Sequence, residues 1–188
     1  MSDPKTRPIL FSGLMVRAIL EGRKTQTRRT VNPKWVCVDW HWEYVSVGDR
    51  CHTHASHAYG IPGDRLWVRE TWAAPHAYDA HKPREIPPNG CSIHYAATEE
   101  RGGLLWRPSI FMPRWASRIT LEITDVRVER LQQISDADSL AEGCSAADMK
   151  HGDSLVSVYA RLWESINGAG SWATNPWVWV VSFRRVEA

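Results

Sequence analysis

Gly22-Arg23-Lys24-Thr25-Gln26-Thr27-Arg28-Arg29 follows directly on Ser12-Gly-Leu-Met-Val-Arg-Ala-Ile-Leu-Glu21, and the join between the two stretches decides how the rest of the chain is read. Ser12 is placed to cap a helix, and Leu14, Met15, Ala18 and Ile19 recur on one of its faces. Gly22 suits the C-terminal cap, because glycine enters the left-handed region without a Cβ penalty. Lys24 therefore emerges where the backbone changes direction. Residues 26 to 30 then read as a strand, with Thr25, Thr27 and Arg29 on one face and Gln26 and Arg28 on the other. Two readings of the turn stand side by side. One is a solvated, basic surface turn that contributes little to stability. The other is a base–nucleophile pair, with burial or the neighbouring Arg23, Arg28 and Arg29 lowering the lysine pKa beside a threonine hydroxyl.

Outward from that join, residues 7 to 11 read as a first strand. Pro62-Gly63-Asp64 marks a turn into a strand over 65 to 72, where Leu66, Val68 and Glu70 alternate with Trp67, Arg69 and Thr71. Prolines and polar residues from Ala74 to Asn89 read as a loop, the part of the chain expected to move most. Residues 118 to 130 form the clearest strand, and a change of phase at Thr124-Asp125 predicts a bulge. Ser135 with Asp138 three residues on gives a capping box for a short helix ending near Gly143. A longer helix carries Leu155, Val158, Tyr159, Leu162, Trp163 and Ile166 on one face, ending at Gly168 and Gly170. The last strand, 177 to 186, starts apolar on both faces and should be central. Strands outnumber helices without regular alternation, which favours a mixed barrel over a parallel sheet. A length of 188 residues fits one α+β domain spanning 1–188, with insertions at 34–60 and 75–104, the first shaped as a hairpin.

A net charge of +2 excludes a general polyanion-binding surface, although Arg17, Arg23, Lys24, Arg28 and Arg29 gather against Glu21 alone in the N-terminal segment. Eleven tryptophans serve cores, interfaces and base stacking alike, so composition does not choose among them. The N-terminus lacks the apolar core of a signal peptide and no apolar run approaches membrane-spanning length. The expectation is a cytoplasmic protein with Cys37, Cys51, Cys91 and Cys144 as reduced thiols.

Gly-Arg-Lys-Thr-x-Thr-x-Arg after a helix, with Ala141-Glu142-Gly143 closing a later one, resembles the ASCH domain, a compact β-barrel related to the PUA fold. The blocks Arg7 to Ser12, Gly63 to Thr71 and Asn175 to Trp179 resemble the larger phage- and prophage-encoded members. The ASCH members that are small amidohydrolases cleave the exocyclic amide of N4-acylated cytidine or cytosine without metal or cofactor. By that resemblance Lys24 is the base, Thr27 the nucleophile and Glu142 the proton donor. Such chemistry needs those three roles, and threonine, lysine and glutamate can fill them without a metal. A flat pyrimidine also needs a platform and polar edge contacts, for which Arg29, Trp67, Glu70 and Trp72 are the candidates. Glu70 is equally suited to be a buried partner of Arg28 or Arg69.

Two other readings compete. Cys51-x-x-His54-x-x-His57, with His52 beside it and Cys37 or Cys91 and His94 to complete a set, offers zinc-type ligands, but the spacing matches no zinc pattern. Arg114-Trp115-Ala-Ser-Arg118 and Arg184-Arg185 offer phosphate contacts with a stacking indole. PUA-like proteins often bind RNA, so an RNA-binding module or a ribonuclease is the different-class alternative. The partner expected first is a small modified nucleoside or base, with RNA second and no membrane.

Overall fold

The computed structural model describes residues 3–31, 35–38, 41–45, 50–51, 59–89, 91–100 and 102–186. The first half holds β1 (Thr6–Leu10), α1 (Gly13–Leu20), β2 (Gln26–Thr30), β3 (Trp35–Val38), β4 (His41–Val45) and β5 (Arg50–Cys51). Then come β6 (Arg65–Arg69), β7 (Trp72–Ala73), β8 (His94–Tyr95), β9 (Thr120–Arg130), α2 (Asp136–Ala141), α3 (Leu155–Asn167) and β10 (Trp177–Val186).

Five strands form one sheet in the order β1-β6-β9-β10-β2. Its β1–β6 pair is parallel and its other pairs are antiparallel, so the class is α+β with a mixed sheet. The ladder ends at β1 and β2, and among the described residues it does not close into a barrel. β10 lies between β9 and β2, and its run Val178, Trp179, Val180 and Val181 is buried, as a strand covered on both faces requires. The predicted bulge is present: Ser182 pairs with Asp125 and Phe183 with Ile123, which leaves Thr124 as the extra residue on β9.

Ser12 caps α1 through Met15 N, and Gly22 follows the helix at φ +75°. The buried face is the one read from the sequence in all but Leu14, with Met15 packed against the main core. Val16, Ala18 and Ile19 are buried, whereas Leu14 is 67% exposed. The apolar stripe is wider than the sheet contact needs, and Leu14 with Met15 borders a hollow. The α2 capping box closes as predicted, Asp138 N donating to Ser135 Oγ and Ser135 N to the Asp138 carboxylate. α3 lays Val158, Tyr159 and Trp163 against Val178 and Val180 in a second cluster beside the main core.

The two predicted insertions differ in kind. β3 and β4 form an antiparallel hairpin extended by β5, so the hairpin reading of 34–60 is met by the described strands. The stretch expected as a loose loop after Ala74 is instead folded. It makes 3-10 turns at His76–Tyr78 and Pro83–Glu85, and Ala74 and Ile86 join Trp72, Met112 and Ala116 in a third apolar cluster. Arg107 holds it further by donating to the carbonyls of Tyr78 and His81.

Candidate active site

α2 is under two turns long, and the carbonyls at its C-terminus need donors. The turn after α1 supplies them. Thr25 N donates to Ala141 O at 2.8 Å, Lys24 Nζ to Glu142 O at 2.9 Å, and Arg23 Nη1 to Gly143 O at 2.9 Å. The turn can come this close because residue 143 is glycine. Its φ is +96°, and a Cβ there would stand 3.1 Å from Ala18 Cβ and 3.3 Å from Lys24 Cβ. Thr25 O in turn accepts from Phe183 N, which fixes the same turn to β10.

Lys24 is therefore no solvated surface residue. It is 2% exposed, as is Glu142, and its Nζ lies 2.6 Å from Glu142 Oε2. Its third donor goes to Gln26 O at 2.8 Å, so the ammonium is saturated. Burial is the largest influence on Lys24 and holds its pKa below the ordinary lysine value, with the Glu142 charge opposing. Glu142 Oε1 faces Arg28 Nη1 at 3.3 Å. Arg28, fully buried at its side chain, also reaches Glu129, Asp138 and Gln26. Burial raises the Asp138 carboxyl, but its Ser135 hydrogen bonds and the Arg28 and Arg127 charges outweigh that and hold it below the usual range. Of the five basic residues gathered in the N-terminal segment, Arg17 donates to Ala97 O, Arg23 pairs with Glu21, Arg29 donates to Leu10 O, and Lys24 and Arg28 turn inward.

Thr27 is 2% exposed, and its hydroxyl makes no hydrogen bond among the described residues. It walls a hollow of about 180 Å³ together with Glu142, Arg29, Tyr59 and Tyr159. A second hollow of about 360 Å³ adjoins it, sharing Met15, Glu142 and Leu162 and adding Leu14, Ala18 and Val158. Thr27, Glu142 and Arg29 thus share one wall, and Lys24, which lines neither hollow, joins them through its bond to Glu142. Lys24 and Thr27 are not hydrogen-bonded to each other in this arrangement. Arg29 is half-buried, with its guanidinium 5.4 Å from the Phe11 ring centre and Nη2 donating to Leu10 O at 2.6 Å.

Trp67, Glu70 and Trp72 line neither hollow. Trp72 is fully buried in the third cluster, so it is a core residue and not a platform. Glu70 is a buried partner, but of Arg118, which it accepts from twice at 3.0 Å. Trp67 is flanked by the Arg69 and Arg114 guanidinium groups. On the runner-up surface, Trp115 packs edge-on against Trp72 at 6.3 Å and Arg184 is engaged by Glu122. His52, His54 and His57 lie outside the described residues, and His94 pairs with Glu99 at 2.7 Å. Among the described residues no cluster of His, Cys, Asp or Glu is arranged to hold a metal ion.

Sequence reasoning missed Tyr159 as a wall residue, and missed that Arg28 and Asp138 join Glu142 in one buried network. Tyr159 and Trp163 were legible as a helix face, but no local signal tells which strand that face will cover. Burial pushes the Tyr159 phenol far above its ordinary pKa, with Glu142 adding to it. Burial likewise raises the nearby Cys144 thiol, to about 11.

No helix among the described residues is long and apolar enough to cross a membrane. No protein-family model and no curated protein matches the chain. Among solved structures it is similar to protein EF3133 from Enterococcus faecalis V583, a DUF984 protein, at 11% identity and a TM-score of 0.44, covering 100% of this chain and 82% of that one. A likeness of that degree bears on neither the chemistry nor the substrate.

Proposed function

We propose that this chain is a cytoplasmic, ASCH-type amidohydrolase that removes the acyl group from N4-acylated cytosine compounds without a metal ion. The observation that carries the reading is a buried Lys24–Glu142 ion pair, with Glu142 sharing the wall of one hollow with Thr27, whose hydroxyl makes no hydrogen bond among the described residues. The barrel expected of that family is supported by Arg29, which reaches from one edge strand of the sheet to Leu10 at the end of the other.

The mechanism starts with one proton crossing the 2.6 Å bond from Lys24 to Glu142, giving a neutral amine and a neutral acid. Burial favours that uncharged form of the lysine. Thr27 Oγ attacks the acyl carbon while Lys24 takes its proton. The C–N bond breaks as Glu142 protonates the departing 4-amino nitrogen. The result is an acyl-threonine ester with Lys24 charged and Glu142 ionised. Glu142 then takes a proton from water, whose oxygen attacks the ester, and Lys24 returns its proton to Thr27 Oγ as the carboxylic acid leaves. The pair alternates between neutral and ionic forms, and no proton is lost. The Lys24–Thr27 contact forms on substrate binding, as catalytic hydrogen bonds commonly tighten in the Michaelis complex. A hollow of 180 Å³ equals about six waters' share of liquid volume, room for one flat ring. The larger hollow takes the acyl chain against Leu14, Met15, Ala18, Val158 and Leu162, with Arg23, Asp148 and Arg161 also on its wall.

The test is to incubate the protein with N4-acetylcytidine and follow the ultraviolet shift and acetate release. Turnover is expected in the wild type and none in Thr27→Ala. Absence of wild-type turnover, together with single-stranded RNA binding that persists at high salt, would replace this reading with the RNA-binding one.

A further inference from the structure

Amide hydrolysis at Thr27 places a developing negative charge on the acyl oxygen, and donors aimed at such a charge are usually the largest single contribution to catalysis. Lys24, Thr27 and Glu142 are occupied with attack and proton transfer. Of the remaining side-chain donors around the smaller hollow, Trp163 Nε1 has no partner but is sealed away from any open space, and most of the others are committed. Arg28 is engaged by Glu129, Asp138, Gln26 and Glu142. Arg29 donates to Leu10 O, and Asn167 Nδ2 to Trp163 O.

Tyr159 differs from these. The residue is 3% exposed, its ring packs against Trp163 and Trp172, and Arg28 lies over its face at 5.9 Å. Those contacts account for the ring and leave the hydroxyl unexplained. That hydroxyl makes no hydrogen bond among the described residues, yet it is not sealed away either, since it is absent from the buried polar atoms that lack a partner. A nearly buried hydroxyl with neither a protein partner nor full enclosure opens onto the hollow its side chain walls. Tyr59 also borders that hollow, but it is half-buried and sits on no helix or strand. Tyr159 is carried on α3, a thirteen-residue helix that fixes its position.

Resting on the amidohydrolase reading above, we infer that the Tyr159 hydroxyl is a catalytic hydrogen-bond donor to the acyl oxygen in the tetrahedral adduct at Thr27. The O–H remains on Tyr159 throughout: it donates to the oxyanion as the carbonyl π bond opens and relaxes as the bond re-forms. Burial raises its pKa far enough to keep it protonated at any working pH, so the donor is always present.

Tyr159→Phe removes only the hydroxyl and keeps the ring packing, so its thermal midpoint should match the wild type. With N4-acetylcytidine, kcat should fall roughly 10²–10³-fold, the range for loss of one oxyanion donor, while KM stays within about threefold. A phosphonamidate analogue of the acetyl amide, whose charged oxygens imitate the adduct, should lose affinity for the variant by a similar factor. Cytidine itself should not. A variant with kcat within threefold of wild type, or one that weakens cytidine and the analogue equally, would overturn the inference and leave the hydrolase reading standing. Lack of turnover by the wild type would overturn both, and only that result would bear on the hydrolase reading.

Discussion

Lys24→Met removes an ammonium whose donors run to Glu142 Oε2, Glu142 O and Gln26 O, and it strands the Glu142 carboxylate at 2% exposure. Breaking a buried pair from one side costs about 3–5 kcal/mol, because the surviving charge keeps its desolvation cost without its partner. At roughly 2–4 °C per kcal/mol for a domain of this size, the melting midpoint should fall by about 6–20 °C. Glu142→Gln should sit at the lower end of that range. Glutamine keeps an acceptor for Lys24, and Arg28 retains Glu129 and Asp138. The double variant removes both charges together and should cost less than the two singles summed, by about 1–3 kcal/mol. Urea unfolding followed by tryptophan fluorescence, run on all four proteins, gives the cycle. A Lys24→Met protein within about 1 kcal/mol of wild type would refute the burial, and strict additivity would refute the pairing. The expected cost also means that loss of turnover at Lys24 must be read beside a stability measurement. Thr27→Ala, which breaks no hydrogen bond within the described residues, is the cleaner probe of chemistry.

Gly143→Ala should destabilise by about 1–3 kcal/mol in the same unfolding assay, since alanine is strained at φ +96° and its Cβ meets Ala18 and Lys24. An unchanged midpoint would show that the two helix-end turns are not in contact. Asp138 has a folded pKa below its unfolded value near 3.8, so its contribution is present above that value and is lost as pH falls through the folded one. Asp138→Asn should therefore flatten the decline in stability below about pH 5, measured by urea midpoints across the acid range. Glu70→Gln should lower stability by about 2 kcal/mol through its Arg118 pair yet leave N4-acetylcytidine turnover intact; a selective loss of turnover at unchanged stability would restore Glu70 to the substrate site.

Much of the fold was legible because local chemistry dictated it. Ser12 and Ser135 cap as read, Gly22 and Gly143 take positive φ where helices end, and the phase slip at Thr124 is a bulge. The failures share a physical cause. Leu14 satisfied the helical period but not the packing, because period says which residues share a face and nothing about which face is covered. Trp72 and Glu70 alternate in β-strand fashion with Trp67 and Arg69, a pattern that fits a platform and a core equally well. Their neighbours decide it: Met112 and Arg118 lie forty residues or more away in sequence. The Lys24 turn is the sharpest case. Arginine-rich and glycine-bounded, it reads equally as solvated or as a buried base until the α2 terminus closes over it from Glu142, 118 positions later.

That closure bears on why the pair exists. A buried lysine–glutamate pair is a poor device for stability alone, since apolar residues of like volume commonly do as well or better. Capping α2 uses only the lysine: Lys24 Nζ donates to Glu142 O while Thr25 N and Arg23 satisfy the flanking carbonyls, and none of these bonds needs the Glu142 carboxylate. What the pair would supply to the proposed chemistry, and an apolar replacement would not, is a proton exchanged between two atoms 2.6 Å apart, with Glu142 on the same wall as a Thr27 hydroxyl that makes no hydrogen bond among the described residues. Acylation of Thr27 would consume the neutral form of that pair and deacylation would restore it. A structural cap would have no use for the exchange, and a nucleophilic threonine without a metal would depend on it.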